Sequence, residues 1–370
     1  MKKFLFNSIL TLSVLVVISC KSDLPVTPDS QIPTFYDSSS YSNSIAIYSP
    51  TISNFTNLVK EIKKGRISGT TVPSATMTNL YTLGSISLKD MTTTYYQAVI
   101  QKSIIELEKA SGGMYDPIKT VQENAQGGVY GSYLFDENGL EHEQVIEKGM
   151  FISTLFNETF SKLLSQNTIS SVDNAIMLYG AHFRFPNSNN ATKHQYADKF
   201  TAGYASRRDD NSGNGLYLSA KKDFIAIRHW IQNGNNTKRD ESVQNLKKNW
   251  EKAIAATVIN YCYDVMTKLS KTDPQVEDLS GGLHSLSEII GFLHGMKSVQ
   301  GTIISDSKLN EMLLLCNYPI DGTPSPYMFV TNPQSISKLS TLVLTLQTVY
   351  SFSNAEVELF KRNLVTEQSR

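Results

Sequence analysis

Apolar residues recur along most of this chain three and four positions apart, the spacing of helices that bury one face. Over 53–64, Phe55, Leu58, Val59 and Ile62 share a face, and the run ends in two lysines and Gly65, as a helix C-terminus does. A longer helix is predicted over 88–110, with Tyr95, Val99, Lys102 and Glu106 marking its faces and Gly112-Gly113 stopping it. The same period predicts helices over 140–164, 171–182, 220–233, 243–269, 285–299, 306–316 and 335–349, and a polar one from 354. Alternation is confined to Ser44-Ile45-Ala46-Ile47-Tyr48, read as a short extended segment. Roughly nine or ten helices exceed one four-helix bundle, so the expected fold is all-α with two packed helical bundles. The polar stretch 185–215, rich in Asn, Ser and Gly, is the expected boundary or long surface loop; it separates a first bundle, 45–184, from a second, 185–370. No exact internal repeat is visible.

The N-terminus follows a different pattern. Lys2 and Lys3 precede an apolar run from Phe4 to Ile18 that is too short for a stable membrane-spanning helix, so 1–19 reads as a cleaved export signal. Val17-Ile18-Ser19-Cys20 matches a bacterial lipobox, which makes Cys20 the expected lipidation site and the membrane a partner through its acyl chains. Residues 20–44 are rich in Ser, Pro and Asp and read as a flexible tether. About 350 residues remain after cleavage, enough for a substantial core without disulfides. Cys262 and Cys316 lie in apolar helical patterns and read as small core residues, with a bridge between them as the alternative in an oxidising compartment. Lys and Arg number 34 and so do Asp and Glu, a balance that argues against nucleic-acid partners and electrostatic membrane adhesion.

Candidate chemistry is sparse. The chain has no His-Glu-x-x-His zinc helix, nucleophile elbow, phosphate-binding loop, dinucleotide fingerprint or Cys-x-x-Cys pair. What remains is Gly281-Gly282-Leu283-His284-Ser285-Leu286-Ser287-Glu288 and its continuation to Gly295. If a helix is already formed at His284, then His284 and Glu288 stand one turn apart, where an imidazole nitrogen and a carboxylate can approach one cation. Gly291 and Gly295 share that side, opposite the stripe of Leu286, Ile289, Ile290 and Leu293, and imply close approach by another backbone or a ligand. The competing reading makes Ser285 to Glu288 a capping box, which leaves His284 outside the helix. A second cluster places Glu143 and Glu147 one turn apart beside Glu141. It reads either as a solvated acidic first turn or as the completion of a metal site with His284 and Glu288. His294 is turned ~80° from His284 on an ideal helix and is expected elsewhere.

The lipobox, the helical body and Gly282-Leu283-His284 leading to Glu288 resemble the imelysin-like proteins, exported and often lipid-anchored bacterial proteins of two helical bundles. The stretches 138–149, Gly180-Ala181-His182-Phe183, Trp250-Glu251-Lys252-Ala253 and 284–288 look like a branch of lipoproteins related to them. That family's Gly-x-His-x-x-Glu implies a buried metal site between the bundles. Here Gly282 and His284 match, the glutamate falls one position later at Glu288, and Ser287 stands where the family has its acid. The resemblance implies a divalent metal or iron as ligand, outer-membrane attachment and transport components as partners, with no reaction assigned. Two alternatives stay open: a glycan-binding or interaction lipoprotein using some of the 18 tyrosines as stacking platforms, and a metal-dependent peptidase.

Overall fold

The computed structural model describes residues 31–370, of which 33–370 form one compact unit. The fold is mainly α-helical, and among the described residues a single two-stranded hairpin is its sheet. The signal segment and Cys20 lie outside the described residues.

A central helix, Asn236–Leu269, has 34 residues and is about 51 Å long. The Asn235 side chain caps it by accepting from the Lys238 N–H. Its buried positions Leu246, Trp250, Ala253, Thr257, Val258, Cys262, Val265 and Leu269 recur at helical spacing, so one continuous face enters the core. On this face it packs against the helices Leu216–Gln232 and Val276–Met296. Trp250 is fully buried, and its indole N–H donates to Thr201 Oγ1 at 3.0 Å. Cys262 and Cys316 are buried and free.

The Val276–Met296 helix starts well before Ser285, and at its start the Asp278 carboxylate accepts from the Gln275 N–H at 3.1 Å. His284 therefore lies inside the helix, and the capping-box reading of Ser285 to Glu288 is overturned. Ser285 instead donates its hydroxyl to Asp264 at 2.5 Å. The helix crosses His142–Met150 at close range through its glycines. A Cβ on Gly295 would stand 2.5 Å from the Gly149 carbonyl oxygen, and one on Gly291 would collide with the Gln144 carbonyl. The approach expected at these glycines is thus that of a second helix backbone. Beyond Met150 the predicted long helix continues with wider π turns at Phe151–Phe156 and Thr159–Leu163.

Three expectations change at the loops and the N-terminal edge. The tether predicted to extend to residue 44 has already joined the body by Tyr36, which is buried and donates to Asp173 at 2.6 Å. Ser40 donates to the same carboxylate at 2.7 Å, and Arg228 pairs with Asp37 at 2.8 Å. The segment read as extended is a 3-10 turn, Ile45–Ile47, between the helical turn Tyr41–Ser44 and the helix Ser49–Ile62. Pro50 in the first turn favours helix there, and no neighbouring strand offers the segment a partner among the described residues. Within 185–215 the chain forms the helix Phe200–Arg208, and Ser188, Asp198 and Asp209 are buried. The polar side chains there tie the segment inward: Asp198 accepts from the Ser188 N–H and the Tyr217 hydroxyl, each at 2.8 Å.

Candidate functional site

The site is assembled where His142–Met150 crosses Val276–Met296. The chain enters the first helix through a turn held by Asp136, whose carboxylate accepts from the N–H groups of Asn138 at 2.9 Å and Leu140 at 2.8 Å. Gly139 has φ of 79°, a conformation most residues avoid, which lets the turn close. The next residue but one, Glu141, is fully buried, and its backbone N–H donates to Ser287 Oγ at 3.0 Å. Ser287 therefore locks the two helices together.

The side chain of Glu141 organises the centre. One oxygen accepts from His284 Nδ1 at 2.5 Å and the other from Arg66 Nη2 at 2.8 Å. Arg66 also grips Glu143 with two donors, Nε at 2.7 Å and Nη2 at 2.9 Å. Tyr133, carried by the hairpin Gly128–Tyr130 and Tyr133–Phe135, stacks on His284 with ring centroids 4.1 Å apart. The Arg66 guanidinium carbon lies 4.8 Å from the same Tyr133 ring.

The other half of the network is centred on Lys148. It is buried, with its ammonium 3.1 Å from Glu147 and 3.2 Å from Glu288. Lys63 lies 3.8 Å from Glu143 and 3.9 Å from Glu147. Glu288 accepts from the Tyr204 hydroxyl at 3.4 Å through Oε1, while Oε2 is buried without a hydrogen-bond partner and faces His284 Nε2 at 3.7 Å.

Burial and neighbouring charge set the protonation states. Burial lowers the His284 basicity, but the Glu141 carboxylate and its hydrogen bond more than offset this and raise the imidazole above its ordinary value. Glu141 is raised by burial and lowered further by His284 and Arg66, so it stays ionised. Glu143 is pushed up to about 7 by burial and by the Glu141 charge. Burial also works against Glu147 and Lys148. In Glu147 it is outweighed by Lys148 and Lys63, and in Lys148 by Glu147, Tyr204 and Glu288.

The structure brings His284 and Glu288 together on one helix face, as the spacing allowed. Glu143 is buried and Glu147 half-buried rather than solvated, and each is engaged by cationic side chains instead of converging on the pair. Among the described residues no group of three or more His, Cys, Asp or Glu side chains is placed to hold a metal ion. The spacing arguments placed Glu141 in the acidic cluster without a role of its own and missed Arg66, Lys148 and Tyr133; Arg66 is remote in sequence and had no local signal. His294 is elsewhere, as its helix angle indicated, accepting from or donating to Tyr95 at 2.9 Å. No protein-family model, curated protein or solved structure matches the chain.

His284, Ser285 and Glu288 form part of the wall of an open cleft of about 580 Å³. Chemically, the arrangement offers one imidazole nitrogen and one carboxylate oxygen to a ligand in that cleft. The second imidazole nitrogen is already fixed by Glu141, the way a carboxylate commonly orients a metal-binding histidine.

Proposed function

We propose that this chain is an imelysin-like lipoprotein, anchored through Cys20, that binds a metal ion or an iron-related ligand with His284 Nε2 and Glu288 Oε2 and carries no assigned reaction. Outer-membrane attachment and transport components as partners belong to the same reading. The two bundles, 45–184 and 185–370, then share one core, with the site where a helix of the first crosses a helix of the second.

The observation that carries the reading is Glu288 Oε2. A buried carboxylate oxygen without a hydrogen bond is costly, and the His284 Nε2 ion pair at 3.7 Å is too long to be one, so a cation between the two atoms would satisfy both. The oxygen faces His284 Nε2, and Glu141 holds the ring so that this nitrogen can serve as a ligand. A metal bound there would supply positive charge to an imidazole nitrogen and a carboxylate oxygen. The other coordination positions would be filled by water or by atoms of an accompanying ligand. Glu141 orients the imidazole, Arg66 compensates Glu141 and Glu143, and Lys148 holds the second oxygen of Glu288.

Calorimetric titration of zinc into residues 21–370, which contain the whole compact unit, tests the reading. One zinc is expected per chain, with His284→Ala weakening binding about 100-fold. Equal stoichiometry and affinity in the two proteins would remove it.

A further inference from the structure

The cleft beside His284 is uneven in charge. Arg207, Arg208, Lys268 and Lys361 line it against Asp264 and Glu288. Lys268 is matched by Asp264 at 2.5 Å, Lys361 by Glu358 at 2.6 Å, and Glu288 by Lys148 at 3.2 Å. The two arginines are left over.

Arg208 is the more telling. It is only 4% exposed, yet its guanidinium contacts neutral acceptors alone: Asn260 Oδ1 at 2.7 Å and the Arg362 carbonyl at 3.4 Å. Its Nε has no partner at all. Burial pulls it down to about 10, so it remains a cation at neutral pH. Buried guanidinium groups are ordinarily paired, because an isolated buried charge is strongly disfavoured. Arg207, the preceding residue on the same helix, adds to the imbalance. With the Asn189 amide oxygen turned toward it, Arg207 has two neutral hydrogen bonds of 2.8 Å, and it stacks on Tyr204 at 4.7 Å.

We propose that Arg208, assisted by Arg207, binds a carboxylate of a small polycarboxylate in this cleft, and that the metal at His284 and Glu288 is bound as the anionic chelate of that ligand. The second half rests on the proposed metal site; the first half does not. A guanidinium fork fits a carboxylate with two donors, and a chelating polycarboxylate supplies the metal donors that two protein side chains leave open. The same cleft can then hold both partners at once: the chelate's excess negative charge meets the unmatched arginines, and its metal meets the unmatched Glu288 oxygen.

The test is calorimetric titration of the 21–370 chain with four probes: zinc, citrate, the zinc–citrate complex and inorganic phosphate. The wild-type chain is expected to bind the complex at least tenfold more tightly than zinc alone. Arg208→Gln, which also gives up the contacts to Asn260 and the Arg362 carbonyl, should abolish that advantage and citrate binding while leaving zinc affinity within twofold. Arg207→Gln, at the half-exposed rim, should weaken citrate three- to fivefold and guards against a misfolded Arg208 variant. His284→Ala should show the opposite pattern, losing zinc and keeping citrate. Unchanged binding of the complex by Arg208→Gln overturns the inference while leaving the metal site standing. Arg208-dependent citrate binding with no zinc binding supports the carboxylate site and overturns the metal reading. Inorganic phosphate binding as tightly as citrate would overturn the assignment to a polycarboxylate.

Discussion

The hydrogen bond between Glu141 and His284 holds the site together, and its strength can be measured. Glu141 is fully buried, His284 Nδ1 donates to it at 2.5 Å, and Arg66 donates to its other oxygen at 2.8 Å. A charged hydrogen bond of this kind contributes about 1.5–3 kcal/mol, and breaking a buried pair from one side costs about 3–5 kcal/mol because the remaining charge is stranded. The cost here falls toward the lower figure. Arg66 keeps both of its bonds to Glu143, and His284 can relax by losing its proton. Glu141→Gln should therefore destabilise the protein by about 3 kcal/mol at pH 6. For a compact unit of some 340 residues, with an unfolding entropy of about 2.1 cal/mol/K per residue, that is a melting temperature lower by about 4 °C.

A double-mutant cycle isolates the pair from everything else the substitution disturbs. Glu141→Gln, His284→Gln and the double variant, compared by chemical denaturation at pH 6, should give a coupling of about 2 kcal/mol. The coupling should shrink at high pH. The imidazole is raised above its unfolded value of about 6.5, so its contribution is complete below that pH and is lost as pH rises through the folded value. Histidine titration by NMR should show the His284 resonance shifting to lower pKa in Glu141→Gln. A coupling below about 0.5 kcal/mol, or an unshifted His284 titration, would refute the account of the pair.

Three further outcomes are expected. Glu251, buried on the central helix, accepts from the N–H groups of Ile303 at 2.9 Å and Ile304 at 3.1 Å and from the Tyr350 hydroxyl at 2.8 Å; Glu251→Ala strands these donors and should cost about 3 kcal/mol in denaturant unfolding. Gly295→Ala puts a methyl group 2.5 Å from the Gly149 carbonyl oxygen, so it should destabilise by about 1–3 kcal/mol and weaken zinc binding by moving the two helices apart; full stability would contradict the close crossing. Limited proteolysis should spare 36–48, because Tyr36, Tyr41 and Tyr48 are buried; cleavage within 36–48 would contradict this docking.

The helices were legible because their signal is local. The central helix, the 53–64 helix and the C-terminal run each show apolar residues at the period that burial later used. The start of the Val276–Met296 helix was harder to read, since Ser285 to Glu288 has the pattern of a capping box, whereas the helix begins earlier, where Asp278 accepts from the Gln275 N–H. The glycines at 291 and 295 were informative because a stripe of missing side chains has few causes, and the cause here is the backbone of His142–Met150. The pair His284 and Glu288 could be found from spacing alone, whereas its partners could not. Arg66 lies 75 residues before Glu141, and Tyr133 reaches His284 from a hairpin whose short strands left almost no alternation to read. Contacts of that span are set by which elements pack together, so no window of sequence contains them.

If the proposed metal site is right, the charges around it make a proton and a metal compete for His284. Glu141, Glu143, Glu147 and Glu288 face Arg66, Lys63, Lys148 and His284, and all four acids are largely withdrawn from water. With Glu143 pushed up to about 7, part of the negative charge is already cancelled by its own proton at neutral pH. His284 contributes its positive charge only while protonated, and a cation on Nε2 must displace that proton. The exchange keeps the buried network compensated, because the cation replaces the charge it removes. Metal affinity should therefore rise with pH as His284 deprotonates, by up to tenfold per unit, and level off above its raised folded value. The same reasoning fixes the opposite trend in stability without metal. Between about pH 4.5 and 7 the folded chain holds a proton on Glu143 that the unfolded chain releases, so the Glu143 contribution to stability, read as the difference between wild type and Glu143→Gln, falls as pH rises through that window. A ligand that enters as a cation thus gains at the pH where this contribution is weakest, and the two slopes should be opposite in sign.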